Sequence, residues 1–421
     1  MKLKLAPFVA AAGALAGTAI AANAQGSFYL KNGDRVVFYG DSITEQHLYT
    51  NWVEDYVVTR FPNLKVDFVN AGVGGDRVTG GWAGDINTRL KRDLIPFKPT
   101  IVTCMLAMND ASYRAYDPAI FHTYAKGYKY ILDTVKASLP DVRWTLIEPS
   151  PYDDVTRAPG FPGGYNAVLL KYAAYVKKLA ASTGSLVTDF NHPMTEMLGK
   201  ANVADPSLAS KLIPDRVHPS PAGHLIMAES LLRTWNAPAT VASATIDGST
   251  GKVTAELNTK ISGITTTNGV ISWAETDKSL PFPLDLKDAE TKLVLASSNF
   301  VQKIDEEPLT VTGLTAAHYV LAIDGTTVGT FTPDELSAGV NLALLDTPML
   351  KQALAVNQLT TDHSNVHMTM WRNVEMPYAY DQGPALSKAI QALNALDFQL
   401  QTRRRMIAQP HAHTFTLTPA A

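Results

Sequence analysis

Three residues of this chain have the types and spacing for nucleophilic chemistry. Ser42 closes the run Val36-Val37-Phe38-Tyr39-Gly40-Asp41-Ser42, an apolar stretch ending in a tight turn. Asp215 and His218 stand three residues apart in Asp215-Arg216-Val217-His218. A serine hydroxyl cannot attack unaided near neutral pH and needs a base. An imidazole is that base when a carboxylate accepts from its other ring nitrogen, and this spacing lets both groups stand on one loop. Two further stretches carry donors for a developing oxyanion. The Gly75 N–H lies in Asn70-Ala71-Gly72-Val73-Gly74-Gly75-Asp76, and the Asn109 amide in Ala107-Met108-Asn109-Asp110. With the Ser42 N–H they make three donors, each typically worth about 3–4 kcal/mol in a transition state. Taken singly, each has a plainer reading: Ser42 as an ordinary helix N-cap, the glycines as a tight loop, Asn109 as a turn residue.

These groups need a scaffold that brings strand ends together. Segments near Arg35–Tyr39, Val66–Asn70, Thr100–Leu106, Trp144–Glu148 and Leu186–Phe190 read as buried strands. Helical patterns run near Tyr49–Arg60, Trp82–Leu94, Tyr124–Ser138 and Asn166–Thr183, and a last one, about Ala222–Trp235, follows the Asp215–His218 loop. Such alternation predicts a parallel sheet covered on both faces. Ligands of such sheets sit outside the carboxyl ends of the strands, where all the reactive stretches fall.

Past Pro238 the composition shifts towards Thr, Val, Gly and Asp. Short strands and hairpin signals at Asn268-Gly269 and Asp324-Gly325 predict an appended β-rich domain over 241–346. Candidate helices near Met349–Leu359, Val366–Val374 and Leu386–Ile407 predict a helical C-terminal region over 347–421, with a short strand or tail at His411–Leu417. The catalytic domain would then span 25–240. Residues 1–24 read as a signal peptide, with Lys2 and Lys4, an Ala-rich apolar stretch and the small-x-small site Ala22-Asn23-Ala24. The expected location is therefore exported, periplasmic or secreted, with no integral membrane span in the mature chain.

The formal charge is −3 and falls to −5 once Lys2 and Lys4 are lost. A mildly acidic chain argues against nucleic acid as a partner. Cys104 is the only cysteine, so no internal disulfide forms, and its apolar surroundings make it a packing residue. Asp76, Asp110 and Glu45 are scattered without a His or Cys cluster, so neither a metal nor another cofactor is expected. His224 reads as structural.

Taken together, Gly40-Asp41-Ser42, Asn70 through Gly75, Ala107-Met108-Asn109-Asp110 and Asp215-Arg216-Val217-His218 resemble, in order and spacing, the sequence blocks of the SGNH (GDSL-type) hydrolase superfamily. The resemblance covers about Arg35–Trp235. It implies a flavodoxin-like three-layer α/β/α sandwich, with Ser42 as nucleophile, His218 as base and Asp215 as its partner. Ser42, Gly75 and Asn109 become the oxyanion hole, with Gly74 as the competitor of Gly75. One departure is Ala107, where the family usually has glycine; Asn109 is expected to keep its place nonetheless.

The implied function is ester hydrolysis through an acyl-serine, on a small ester or an acetylated glycan, with O-deacetylation of a carbohydrate favoured. Trp82, Tyr113, Tyr116, Tyr152 and Tyr165 are candidates for sugar stacking or for plain packing. The alternatives are a short-chain lipase, arylesterase or thioesterase, and, in another class, a glycan-binding or surface-assembly protein with a vestigial hydrolase domain.

Overall fold

The structure, a computed structural model, describes residues 27–378 and 383–420. The expected signal peptide, 1–24, lies outside the described residues. Five strands form the first sheet: β1 (Arg35–Gly40), β2 (Asp67–Asn70), β3 (Ile101–Met105), β4 (Arg143–Glu148) and β5 (Leu186–Asp189). Their order is β2-β1-β3-β4-β5 and every pairing is parallel. This is the flavodoxin-like order, whose switch point lies between β1 and β3. The central strands are buried along their whole length, Val36 to Tyr39 and Ile101 to Met105 alike. That is why they read as continuous apolar runs rather than as alternating ones.

Helices alternate with these strands: α1 (Ser42–Glu45), α2 (Leu48–Arg60), α3 (Ile86–Asp93), α4 (Pro118–Ser138), α5 (Gly164–Thr183), α6 (Asn191–Ala204) and α7 (Pro221–Thr234). Local chemistry sets several starts. Asp117 accepts from the Ala119 N–H ahead of α4, and Ser220 from the Gly223 N–H ahead of α7, each with proline in the first turn. The helix expected from Trp82 begins only at Ile86. Gly80-Gly81 pairs with Gly84-Asp85 in a short antiparallel ribbon there, with Gly80 and Gly84 at positive φ, and Asp85 caps the helix through the Thr88 N–H. Trp82 is left at the ribbon's tip, 64% exposed.

The rest of the chain holds β6 (Ser243–Asp247), β7 (Lys252–Leu257), β8 (Thr259–Thr267), β9 (Val270–Asp277), β10 (Pro308–Thr312), β11 (His318–Ile323), β12 (Thr326–Phe331) and β13 (His413–Ala420). One antiparallel sheet runs β8-β9-β13-β11-β12. In another, β6 lies between β10 and β7. Both hairpin signals are turns with positive φ at each central residue, Asn268-Gly269 and Asp324-Gly325. Two helices follow, α8 (Pro348–Met368) and α9 (Pro384–Ile407). The helices expected at 349–359 and 366–374 are one rod, which loosens into a π-helical stretch at Thr369–Glu375.

Packing crosses the boundaries that composition suggests at 240 and 346. Phe282, Leu284, Val294, Phe300 and Ile304 share one core with the first sheet. The chain's last strand, β13, is the central strand of the antiparallel sheet. A buried charged seam ties α8 and α9 to α2. Glu54 accepts from Arg404 Nη1 at 2.6 Å and pairs with His363, whose Nδ1 meets Asp397 at 2.6 Å. Burial opposes ionisation of Glu54, but Arg404 and His363 outweigh it and lower its pKa to about 2. Burial likewise opposes charge on His363, and Glu54 and Asp397 overcome it, raising the imidazole to about 9.

Candidate active site

Ser42 is the first residue of α1, at the carboxyl end of β1. Asp41 caps that helix, accepting from the Ile43 N–H at 3.1 Å. Its carboxyl is buried, which pushes it up to about 7 against that hydrogen bond. It braces the turn and makes no contact with an imidazole. As the first residue of the helix, Ser42 also carries a backbone N–H with no intrahelical acceptor.

The loop before α7 brings the other two groups. His218 Nε2 lies 2.7 Å from Ser42 Oγ, and His218 Nδ1 lies 2.6 Å from Asp215 Oδ2. A carboxylate only accepts, so Nδ1 carries the proton and Nε2 presents its lone pair to the serine hydroxyl. Asp215 Oδ1 also accepts the N–H groups of Val217 at 2.9 Å and His218 at 2.8 Å. Burial opposes ionisation of Asp215, but these bonds and the imidazole hold it below the usual carboxylate range. Arg216, between them, adopts a positive φ of 73°, which lets a four-residue stretch fold back on itself.

The loop after β2 faces Ser42 from another side. A Cβ placed on Gly74 would sit 3.8 Å from the Ser42 Cβ. The Gly74 N–H is taken by Glu45 Oε2 at 2.8 Å. The Gly75 N–H has no partner among the described residues, and Gly75 holds a φ of +76°. Of the two competitors, Gly75 is thus the one with a free donor.

Asn109 follows β3. Its Nδ2 donates one hydrogen to the Asp76 carbonyl at 3.1 Å, which leaves the second free, and its Oδ1 accepts from Tyr113 at 3.1 Å. Those two bonds fix the amide's orientation. Ala107 stands fully buried at a φ of 150°. The methyl is accommodated at the cost of backbone strain, of order 1–3 kcal/mol.

The aromatics divide. Tyr165 is buried and stacks on Tyr113 with ring centroids 5.0 Å apart, and Tyr152 meets Tyr165 edge-on. Tyr113, Tyr116 and Trp82 are exposed. His224 is buried, takes the Tyr49 N–H on Nδ1 at 3.2 Å and meets Gln46 through Nε2, a tie between α7 and α2. Cys104 is buried within β3, and burial pushes its thiol up to about 12. Among the described residues no group of three or more His, Cys, Asp or Glu side chains is placed to hold a metal ion, and no helix is long and apolar enough to cross a membrane.

Sequence reading passed over two residues here. Tyr113, weighed for sugar stacking or plain packing, orients Asn109. Arg372, from the π-helical stretch, donates to Glu45 Oε1 at 3.1 Å and lies 4.1 Å from the Trp82 ring centre. Nothing in the local sequence around Arg372 signals such a reach.

The model of the GDSL-like lipase/acylhydrolase family matches residues 38–226. An acetylxylan esterase of Geobacillus stearothermophilus is 29% identical over 227 residues, which is 48% of this chain and 94% of that protein. The solved structure of a gut microbial diltiazem-metabolizing enzyme is similar over 93% of this chain and 98% of its own, with a TM-score of 0.80 and 25% identity. That likeness extends through the β-rich and helical parts beyond the matched family segment. Residues 38–226 form a domain of the SGNH (GDSL-type) hydrolase superfamily, and the chain is a carboxylic ester hydrolase.

Proposed function

We propose that this protein is an exported serine esterase that removes acetyl groups from a carbohydrate through an acyl-serine intermediate. The observation that carries the mechanism is the unbroken relay from Asp215 through His218 to Ser42, with contacts of 2.6 and 2.7 Å. In the first half-reaction His218 Nε2 takes the Ser42 proton as Oγ bonds to the ester carbonyl carbon. The oxyanion meets the N–H groups of Gly75 and Ser42 and the free Nδ2 hydrogen of Asn109. The bond from that carbon to the alcohol oxygen then breaks, and His218 returns the proton to the departing alkoxide. In the second half-reaction water loses a proton to His218 and attacks the acyl carbon. Acetate leaves and Ser42 regains its hydrogen.

The acetylated carbohydrate is supported by the likeness to an acetylxylan esterase. Export is supported by the charge and apolar pattern of residues 1–24. A second reading, a general esterase of small molecules, is favoured by the likeness, over nearly the whole chain, to a drug-metabolizing enzyme.

The test is p-nitrophenyl acetate hydrolysis by wild type and Ser42→Ala. An inactive wild type, or two equally active proteins, sinks the acyl-serine reading. Acetate release from acetylated xylan, set against small esters of increasing acyl length, separates the two substrate readings. A rate that rises with acyl length counts against deacetylation. N-terminal sequencing of protein recovered outside the cytoplasm should begin at Gln25 if the leader is cleaved.

A further inference from the structure

Gly74 C=O and Gly75 N–H belong to one peptide unit, and the described chain has no cis peptide bonds. In a planar trans unit the carbonyl and the N–H point in opposite directions. Whatever holds the Gly74 carbonyl therefore aims the Gly75 N–H. Trp82 Nε1 donates to that carbonyl at 2.7 Å. The preceding N–H, that of Gly74, is held by Glu45 Oε2 at 2.8 Å. Arg372 joins the two holders: its Nε donates to the other Glu45 oxygen at 3.1 Å and its guanidinium lies 4.1 Å from the Trp82 ring centre. Neighbours on the same rod brace the rest of this loop. His367 Nε2 donates to the Asn70 carbonyl at 2.9 Å. Trp371 Nε1 donates to Asp93 at 3.1 Å, and Asp93 pairs with Arg89, which in turn holds Asp76 at 2.8 Å and the Ala71 carbonyl at 2.8 Å.

We propose that Trp82, Glu45 and Arg372 are positioning residues that clamp the Gly74–Gly75 peptide so that its N–H serves the oxyanion, which makes the C-terminal rod a working part of the active site. This rests on the acyl-serine reading above. The π-helical stretch at 369–375 fits the role: widening the helix there re-aims Trp371 and Arg372 at the loop, and such widenings recur at functional sites. Trp82 is 64% exposed, so packing alone does not account for a large aromatic pinned by its indole N–H and backed by a cation.

The experiment uses the full chain with Trp82→Phe, Arg372→Ala, Arg372→Lys and the Trp82→Phe/Arg372→Ala pair. Trp82→Phe keeps an aromatic ring on the site but removes the indole N–H together with the five-membered ring that carries it. We expect kcat for p-nitrophenyl acetate to fall about tenfold or more with KM within about twofold, because a misaimed oxyanion donor weakens the transition state alone. Affinity for phenylboronic acid, which binds the serine as a tetrahedral anion, should fall in parallel. Arg372→Lys should recover part of the loss. The double variant should be little worse than Trp82→Phe, since both act through one peptide. Thermal melts are run alongside and rates compared well below each midpoint. An unchanged kcat in both Trp82→Phe and Arg372→Ala, a loss confined to KM, or losses that multiply in the pair would overturn the clamp. Should Ser42→Ala match wild type, the acyl-serine reading fails first, whatever Trp82 does.

Discussion

His218 and Gly75 flank the same serine, yet the two sides of the site are built on different principles. On the base side the contacts among the reacting groups are local. Asp215 reaches His218 across one turn and takes the Val217 and His218 N–H groups as it does so. Its carboxyl is half exposed, at 53%, and the distant contacts of this loop go to its backbone: Arg157 donates to the Ile213 and Pro214 carbonyls and the Asp153 N–H to the Arg216 carbonyl. On the oxyanion side almost everything is long-range. Trp82 from the ribbon holds the carbonyl of the Gly74–Gly75 peptide, Glu45 from α1 holds the Gly74 N–H just before it, and Arg372 from the end of the α8 rod meets both holders. A base must swing its proton between serine, leaving group and water, and one short loop suffices to carry it. An oxyanion donor works by being already in place, and that demands a rigid surround.

Five substitutions sharpen the contrast, taken from the largest expected effect downward. On the base side, His218→Ala should lower kcat by roughly 10⁴-fold or more with little change in the thermal midpoint. Asp215→Ala should cost less, about 10²–10³-fold, because a half-exposed carboxylate lets water replace part of its role. Steady-state kinetics on p-nitrophenyl acetate with parallel melts check both; equal losses would show that Asp215 is as indispensable as the base. On the oxyanion side, Glu54→Ala removes the shared partner of Arg404 and His363 in the seam that anchors the rod. It should destabilise by about 3–5 kcal/mol, the range for orphaning a buried charge, as read by denaturant unfolding. Limited proteolysis should then cut first within 348–407. A stable variant that is cut elsewhere would uncouple the seam from the rod.

The same seam sets a pH dependence. His363 is raised from 6.5 to about 9, so its stabilising charge is complete below pH 6.5 and lost as pH climbs through about 9. Glu54 is lowered from 4.5 to about 2, so its share is complete above pH 4.5 and lost as pH falls through about 2. Melting midpoints of wild type minus those of His363→Gln should therefore fall on the alkaline side. Taking the difference cancels the parallel losses from Asp41, Asp55 and Asp110, whose carboxyls burial raises to about 7 and which therefore also cost stability as pH climbs from 3.8 through about 7. A flat difference would show that His363 is not charged in the seam. The smallest expected effect is local again: Ala107→Gly should stabilise by about 1 kcal/mol by relieving the positive φ, with kcat unchanged because Asn109 keeps its bonds to Asp76 and Tyr113. A loss of stability would mean that the methyl's packing outweighs the strain.

Much of the first sheet was legible, and for a physical reason. Its strands are buried on both faces, so they appear as apolar runs, and each ends in a turn whose residues the chemistry restricts. The Asp215–His218 pairing was legible because it is a matter of spacing along the chain. Helix starts were less legible than helix existence: α7 begins at Pro221, beside the expected Ala222, but α4 begins at Pro118, six residues ahead of the expected Tyr124 although Asp117 caps it, and Trp82 was drawn into α3 because its apolar character fits the helical period. The hairpins at Asn268-Gly269 and Asp324-Gly325 needed no tertiary knowledge, since only such residues adopt the turn readily.

The parts that stayed hidden depend on contacts between remote segments. Composition changes near 240 and 346, yet Phe282 and Phe300 join the catalytic core and β13 returns to the middle of a sheet begun at β8. A period-two or period-3.6 pattern says which face of an element is apolar and never names the partner that will cover it. Glu45 read as a stray acid and Arg372 carried no signal at all, because an ion pair between residues so far apart leaves no local trace. What the sequence by itself determined is the sheet, its loops and the serine's base, all built from near neighbours and burial. The tertiary structure alone decided which glycine N–H stays free and which distant arginine keeps it aimed, because those follow from how independently legible elements happen to meet.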